Sequence, residues 1–205
     1  MELLLSVIIG YLLGSISFSY LFGKWLKKID IRNYGSGNAG ATNTLRVLGK
    51  GPAITVLILD ILKGMIAVLI SKLIGGEEWV PFVAGLSAAI GHNWPIFFNF
   101  RGGKGIATTI GVLLLLIPYP ALIAGVIAIA LIALTRYVSL GSLTFTVLTP
   151  IILLFFDRYP DSYFYVAIIF ALLSIWRHRV NIKKIIQGTE NKLGEKSTIE
   201  EVNEQ

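Results

Sequence analysis

The sequence contains no cysteine, only two histidines and few charged residues. Without cysteine the chain can form no disulfide, no thiolate nucleophile and no thiolate metal site. His92 and His178 leave little for a histidine-rich metal centre, and neither a metal nor another cofactor is predicted. Charged residues make up 15% of the 205 positions, against about 25% in soluble domains. A soluble enzyme, a disordered chain and a coiled coil are therefore excluded.

Apolar residues dominate the rest: 55% of the chain is hydrophobic, and the mean hydropathy is +0.74. A helix needs about 20 apolar residues to cross a bilayer. Seven runs approach or reach that length, at 3–22, 52–73, 80–98, 106–117, 121–134, 137–156 and 162–176. We predict an all-α fold, a polytopic membrane bundle of about seven transmembrane helices in a single domain, 1–205. The short runs 106–117 and 121–134 form either a tight hairpin or a re-entrant pair.

The placement of positive charge predicts the orientation of this bundle. Most of the 18 Lys and Arg residues lie in alternate loops and in the tail, at about 177–205. Because positive loops stay inside, the N-terminus is predicted outside and the tail in the cytoplasm. The net charge of +6 thus reflects topology, with membrane lipid and no nucleic acid as partner. Asp60 and Lys63, three residues apart in the second run, can pair either as a structural or as a functional pair.

The first inner loop, 32–46, combines glycines with neutral donors and ends at Arg46. Glycines allow successive backbone N–H groups to surround an anion, and arginine suits bidentate phosphate binding. Asn43 or Thr44 could cap the short helix that carries Arg46. The alternative is a flexible loop between two spans. The candidate anion-binding residues here are Ser36, Gly37, Asn38, Gly40, Thr42, Asn43 and Arg46.

The second inner loop, 91–105, ends in Gly-Gly-Lys-Gly directly before an apolar run. A phosphate at that helix N-terminus, with Lys104 as its counter-charge, is physically sensible. The nucleotide P-loop pattern is absent. Gly102 and Gly103 join Lys104 as candidates. His92 is either a substrate contact or a satisfied histidine at the interface.

Two further inner stretches carry candidate residues. In 136–142, a serine hydroxyl such as that of Ser142 either donates to a phosphate or lies at a helix contact. In 176–181, Arg177, His178 and Asn181 would share one face of a helix. These cations, with scarcely any carboxylate, predict a phosphate-ester or phosphate-anhydride site at the inner face. The residues alone do not separate an enzyme from an anion transporter.

Three motifs resemble the signature regions of the PlsY family, the acyl-phosphate:glycerol-3-phosphate acyltransferases of bacterial phospholipid synthesis. They read R-x-x-G-S-G-N-x-G-A-T-N from Arg32, G-H-x-x-P through F-x-G-G-K-G, and R-H-x-x-N-I from Arg177. Arg101 occupies a variable position. The resemblance covers nearly the whole chain. It implies an enzyme of the bacterial inner membrane that transfers an acyl group from acyl phosphate to the sn-1 hydroxyl of glycerol 3-phosphate, giving lysophosphatidic acid and phosphate.

Residue by residue, the resemblance implies a catalytic set and a substrate-binding set. The catalytic set is Ser36, Arg46, Lys104, His178 and Asn181. The substrate-binding set is Gly37, Asn38, Gly40, Thr42, Asn43, His92, Gly102, Gly103, Ser142, Arg177 and Glu190. Since no cysteine exists, a ternary complex without an acyl-enzyme is expected, and the proton goes to His178 or to a substrate phosphate.

Three rival functions fit the sequence less well. A permease would usually have a site near the bilayer midplane and repeated halves. A phosphatidyltransferase would need an acidic metal cluster, which these loops lack. The H-x4-D motif of soluble-type acyltransferases is absent, because Phe97 and Lys183 stand where Asp would be.

Overall fold

The computed structural model describes residues 1–195, and all regular structure in that range is helical. Residues 196–205, with the predicted tail cation Lys196, lie outside the described residues. The α-helices are α1 Glu2–Gly14, α2 Phe18–Lys27, α3 Ala41–Leu48, α4 Lys50–Ile74, α5 Val80–Asn93, α6 Ile106–Leu116, α7 Pro118–Thr135, α8 Val138–Leu153, α9 Asp161–Arg177 and α10 Arg179–Ile186. Short 3₁₀ turns cover Ile31–Asn33 and Ile96–Phe98. The predicted all-α fold is confirmed.

All seven apolar runs form helices, although the first is divided into α1 and α2. Among the described residues, three segments are long and apolar enough to cross a membrane: Glu2–Lys27, Lys50–Ile74 and Pro118–Thr135. The pair α9 and α10, bent by 61°, would make a fourth. α6 and α8 are shorter apolar helices. The total of seven spans and their orientation stay predictions.

The boundary between the two short runs differs from the one expected. Pro118, Tyr119 and Pro120 are not a loop but form the first turn of α7. Proline is tolerated there because the first N–H groups of a helix have no intrahelical partner. α7 therefore reaches 18 residues, which is long enough to span, and of these two neighbouring runs α6 alone stays short.

Small residues let the helices approach closely, as is common in membrane bundles. A Cβ on Gly14 of α1 would collide with the backbone of Ala88 in α5. A Cβ on Gly64 of α4 would likewise collide with Thr108 in α6. The loop before α6 lies beside the loop before α3 at Gly103 and Ala39, and it is bonded to both sides of the bend between α9 and α10 through Arg177 and Asn181.

Candidate active site

Asn43 holds the first glycine-rich loop in shape. Its fully buried side chain accepts a hydrogen bond from the Ser36 amide at 2.8 Å. It also donates to the carbonyl oxygens of Ile31 at 3.1 Å and Tyr34 at 3.0 Å. These bonds use both ends of the amide, so Asn43 braces the loop rather than reaching into open space.

The expected helix cap is wrong. α3 begins at Ala41 with Gly40 as its N-cap, and both Asn43 and Thr44 lie inside the helix. The Thr44 hydroxyl bonds to the Gly40 carbonyl oxygen at 3.1 Å and to the Ser19 hydroxyl at 2.9 Å, which ties α3 to α2.

The loop and the first turn of α3 hold the other candidates of the first motif. Ser36 and Gly37 are exposed, Asn38 and Thr42 are half-buried, and Gly40 is buried. Ser36 and Gly37 are therefore accessible to a ligand, whereas Asn43 is not, although the amides of Ser36 and Gly37 already donate to Asn43 Oδ1 and to the Tyr34 carbonyl oxygen.

Arg32 joins this loop to the second one, a role that the sequence reading did not assign. Its Nη1 donates to the carbonyl oxygens of Phe98 at 2.7 Å and Arg101 at 2.9 Å. The other guanidinium nitrogens bind the Asp30 carboxylate. This bonding holds the pKa of Asp30 below its ordinary value. The only sequence signal was the position of Arg32 at the start of the first motif.

Gly103 lies where three parts of the chain meet. Its amide donates to the His92 carbonyl oxygen at 3.1 Å, and its own carbonyl oxygen accepts from Arg177 Nη2 at 2.6 Å. A Cβ here would collide with His92 Nε2 and with the Ala39 carbonyl oxygen. A Cβ on Gly102 would collide with the His92 carbonyl oxygen. Only glycine fits this junction between the two loops.

Lys104 lies at the centre of a hydrogen-bonded chain. Its Nζ donates to Asn181 Oδ1 at 2.5 Å. The Asn181 amide donates to Glu190 Oε1 at 2.7 Å, and the same oxygen accepts from the Ser139 hydroxyl at 2.7 Å. Ser142 takes no part in this chain, because its hydroxyl donates to Val138 of its own helix at 2.9 Å. The sequence predicts Ser142 as the candidate phosphate donor, whereas the structure places Ser139 in this chain.

The site carries more positive than negative charge. Burial lowers the pKa of Lys104 to about 8; Glu190 opposes this, while Arg177, Arg46 and Lys184 add to it. Burial also lowers the pKa of Arg46, against the attraction of Glu190. We call Arg46, Lys104, Arg177, Asn181 and Glu190 the pocket cluster. Glu190 within the cluster and Glu195 near Arg46 do not balance Arg46, Lys104, Arg177 and the neighbouring Lys184, so positive charge remains available for an anion.

His178 is neutral and carries its proton on Nδ1. That nitrogen lies 2.8 Å from the Ser174 carbonyl oxygen, which can only accept. Burial, with the charge of Lys104 second, lowers the pKa of His178 to about 4. Nε2 therefore keeps its lone pair at neutral pH.

The expected single helical face through 177–181 is wrong, because α9 ends at Arg177 and α10 starts at Arg179 with a 61° bend. Arg177 and Asn181 nevertheless meet at the second loop, through Gly103 and Lys104.

The segment after α10 folds back over the site. The Leu193 amide donates to the Arg136 carbonyl oxygen at 2.7 Å, and Arg136 Nη2 donates back to the Leu193 carbonyl oxygen at 2.7 Å. Arg46 Nη2 reaches the Asn191 carbonyl oxygen at 3.5 Å. These contacts hold Glu190 within the pocket cluster.

A bundle of apolar helices that carries a cluster of cations defines an integral-membrane protein suited to holding anions. A family profile described as Glycerol-3-phosphate acyltransferase matches residues 4–188. A curated relative from Halalkalibacterium halodurans, named glycerol-3-phosphate acyltransferase, is 59% identical to this chain over 202 residues. The alignment covers 96% of this chain and 98% of the relative. A relative of the same name from Shouchella clausii is 58% identical over 200 residues, and the alignment covers 95% of this chain and 98% of the relative.

Two solved structures of a glycerol 3-phosphate acyltransferase are similar to this chain along nearly its whole length. A crystal structure of PlsY (YgiH), an integral membrane glycerol 3-phosphate acyltransferase in its glycerol 3-phosphate form, matches with a TM-score of 0.87 and 43% identity, covering 95% of this chain and 96% of that one. The lysophosphatidic acid form matches at 0.85 and 41%, covering 100% of both. The chain belongs to the glycerol-3-phosphate acyltransferase (PlsY) family, and it is an acyltransferase.

Proposed function

We propose that this enzyme transfers a fatty acyl group from acyl phosphate to the sn-1 hydroxyl of glycerol 3-phosphate. The products are 1-acyl-glycerol 3-phosphate (lysophosphatidic acid) and inorganic phosphate. The observation that carries the proposal is the contact, at Gly103, between an open glycine-rich loop and the pocket cluster. Two neighbouring anion sites suit a reaction in which both donor and acceptor bear a phosphate.

Each site takes one substrate. The loop 35–43 holds the acyl phosphate with the Ser36 hydroxyl and with those backbone N–H groups that are not already bonded within the loop, since the amides of Ser36, Gly37 and Gly40 have partners there. Lys104 and Arg46 hold the phosphate of glycerol 3-phosphate, since charge-assisted bonds to phosphate are the strong ones. Asn181, fixed by Lys104 on one side and Glu190 on the other, orients the glycerol backbone.

The acyl phosphate is already activated, so positioning and charge neutralisation supply most of the catalysis. The acceptor hydroxyl donates to His178 Nε2 while its oxygen attacks the acyl carbonyl carbon. The new ester C–O bond forms, and the bond from that carbon to the phosphate oxygen breaks. With a pKa of about 4, His178 orients the hydroxyl but retains little proton at neutral pH. The hydroxyl proton ends on the released phosphate.

A direct transfer fits this site better than an acyl-enzyme. The chain has no cysteine. Within residues 1–195, no hydrogen bond joins a serine hydroxyl to a histidine ring, the arrangement that activates serine.

The topology part of the proposal places the site at the cytoplasmic face of the bacterial inner membrane. The N-terminus lies outside, seven spans follow in one domain, and the acyl chain extends between helices into lipid. Exposed apolar side chains such as Val126, at 66% exposure, offer a lipid-facing surface. Because the chain lacks cysteine, Glu77→Cys and Lys183→Cys can be labelled separately in intact cells. Labelling of Glu77→Cys alone by an impermeant thiol reagent is expected, and labelling of Lys183→Cys would reverse the orientation.

The deciding experiment assays purified protein with glycerol 3-phosphate and one of three donors: acyl phosphate, acyl-CoA or acyl carrier protein thioester. We expect lysophosphatidic acid, acylated at sn-1, from acyl phosphate only. Product from a thioester but none from acyl phosphate would overturn the proposed donor. Arg46→Ala should lose turnover at low glycerol 3-phosphate, and unchanged turnover there would refute its role.

A further inference from the structure

Three ionisable side chains lie buried together in the bundle, next to the pocket cluster but outside its hydrogen-bonded chain. Lys63 and Asp60 pair across one turn of α4 with Nζ 2.8 Å from Oδ1, as their spacing predicted. His92 of α5 places Nδ1 2.9 Å from the same Nζ. All three are at most 5% exposed. We call Asp60, Lys63 and His92 the core cluster.

The ammonium of Lys63 has three polar neighbours: it forms an ion pair with Asp60 and donates hydrogen bonds to two other acceptors. Besides Asp60 and His92, the Ile16 carbonyl oxygen accepts from Nζ at 2.8 Å. Ile16 lies in the break between α1 and α2, where a carbonyl oxygen is free of helical bonding. Lys63 thus ties α4 to α5 and to the broken first span at one point.

This arrangement dictates the protonation of the His92 ring. An ammonium only donates, so a proton on His92 Nδ1 would set two donors 2.9 Å apart. The alternative partner of Nδ1, Asp60 Oδ1, lies at 3.5 Å, beyond a good hydrogen bond. Nδ1 therefore carries the lone pair, and Nε2 carries the proton.

The protonated edge of His92 points to the junction of the two glycine loops. A Cβ on Gly103 would collide with Nε2 and with the Ala39 carbonyl oxygen, so the ring edge lies against both loops. We propose that Asp60 and Lys63 are positioning residues that fix the His92 ring so that its Nε2–H donates to a phosphate oxygen of the acyl donor. The kinetic part of this inference rests on the proposed function, whereas the tautomer part does not.

A purely structural core cluster would behave differently. If the core cluster were purely structural, the Asp60–Lys63 ion pair would change the stability of the bundle but not kcat/KM. Buried ion pairs can often be replaced by apolar residues. A purely structural role would also leave the tautomer of His92 unimportant. The two roles can therefore be separated by a spectroscopic readout and a kinetic one.

The spectroscopic test uses the fact that the chain has two histidines. In protein labelled with ¹⁵N-histidine, long-range ¹⁵N–¹H correlation spectra should show opposite tautomers, Nε2–H for His92 and Nδ1–H for His178. The spectrum of His178→Gln assigns the signals. In Lys63→Met the His92 signals should leave the pure Nε2–H pattern. A wild-type His92 that is charged, Nδ1-protonated or averaged between tautomers would overturn the proposal.

The kinetic test is a double-mutant cycle between Lys63 and His92. Lys63→Met should lower kcat/KM for acyl phosphate by about 10- to 100-fold, the effect of one lost charge-assisted contact. Glutamine can offer an N–H near Nε2 without any tautomer. In a His92→Gln background, Lys63→Met should therefore cost much less than in the wild type. Effects that multiply independently would contradict the positioning role.

The matched control is Ser71→Ala, which removes another buried α4–α1 bond, from Ser71 to Ser6 at 2.9 Å. It should lower stability but leave kcat/KM unchanged. If Lys63→Met does not accumulate, the charge-neutral pair Asp60→Asn with Lys63→Met replaces it in both tests. A wild type inactive with every acyl donor would overturn the proposed function, whereas the tautomer result would still decide the geometry.

Discussion

The core cluster and the pocket cluster show two ways of placing charge in one bundle. In the core cluster, the ammonium of Lys63 has two hydrogen-bond acceptors and one carboxylate ion-pair partner, all from the protein itself. In the pocket cluster, the single carboxylate of Glu190 faces Arg46 and Lys104 together, with Arg177 beside them. In the pocket cluster the cations outnumber the carboxylates and donate mainly to neutral oxygen atoms, so a bound anion would supply the missing negative charge. In the core cluster the ammonium of Lys63 is already paired with a carboxylate, so it can orient His92 but has no charge left for a substrate. The difference separates a site that binds substrate from one that supports it.

The largest effect is expected from removing the central cation of the pocket cluster. Lys104→Gln should lower kcat/KM for glycerol 3-phosphate by about 10²- to 10³-fold, since a preorganised donor to developing or bound negative charge is lost. Steady-state kinetics with varied glycerol 3-phosphate measures this. Lys183→Gln, an exposed lysine of α10, is the matched control and should stay within about twofold of wild type. Equal losses in both variants would mean that overall charge, not the pocket, binds substrate.

A smaller effect is expected from disturbing the junction between the two regions. Gly103→Ala pushes a methyl group against His92 Nε2 and the Ala39 carbonyl oxygen. Overpacking of this kind costs about 1–3 kcal/mol of folding free energy. Relief of the clash moves the His92 ring or the loop at Ala39, and because a misplacement of about 1 Å can cost about 100-fold in rate, turnover should fall by about 10- to 100-fold. The control is Gly125→Ala in α7, where a Cβ meets nothing within 4 Å. It should raise the free energy of unfolding by about 0.5–1 kcal/mol and leave turnover unchanged. A fully active Gly103→Ala enzyme would contradict the tight junction.

The pH dependence of the wild-type enzyme tests the charge of Lys104 without any substitution. The pKa of Lys104 is lowered to about 8, so its ammonium is present below that pH and lost as pH rises through it. Because kcat/KM reports the free enzyme, its value for glycerol 3-phosphate should decline above about pH 8, up to tenfold per pH unit. Lys104→Arg keeps its charge there and should lack this decline. The same descending limb in both enzymes would assign it to another group.

The sequence was enough to predict the helical fold and the family, and its candidate residues include those of the pocket cluster, whose roles in the reaction stay predictions. The length of the apolar runs indicates the helices, and the three motifs are short enough to be recognised without knowing the fold. The sequence was not enough for contacts that depend on the backbone path between elements. The bend at His178 replaced a continuous helical face, and the interior position of Asn43 in α3 replaced a cap. Likewise, Arg32 gave no local sign that it would reach the carbonyl oxygens of Phe98 and Arg101.

The smallest expected effect distinguishes two serines on α8, Ser139 and Ser142, which lie about one helical turn apart. The Ser139 hydroxyl donates to Glu190 Oε1 at 2.7 Å, whereas the Ser142 hydroxyl donates to its own helix at Val138. Ser139→Ala should lower kcat/KM by about 2- to 10-fold, the effect of one net hydrogen bond, because Glu190 then holds Asn181 less firmly. Ser142→Ala should change it less than twofold. A larger loss for Ser142→Ala than for Ser139→Ala would mean that substrate turns the Ser142 hydroxyl into the pocket.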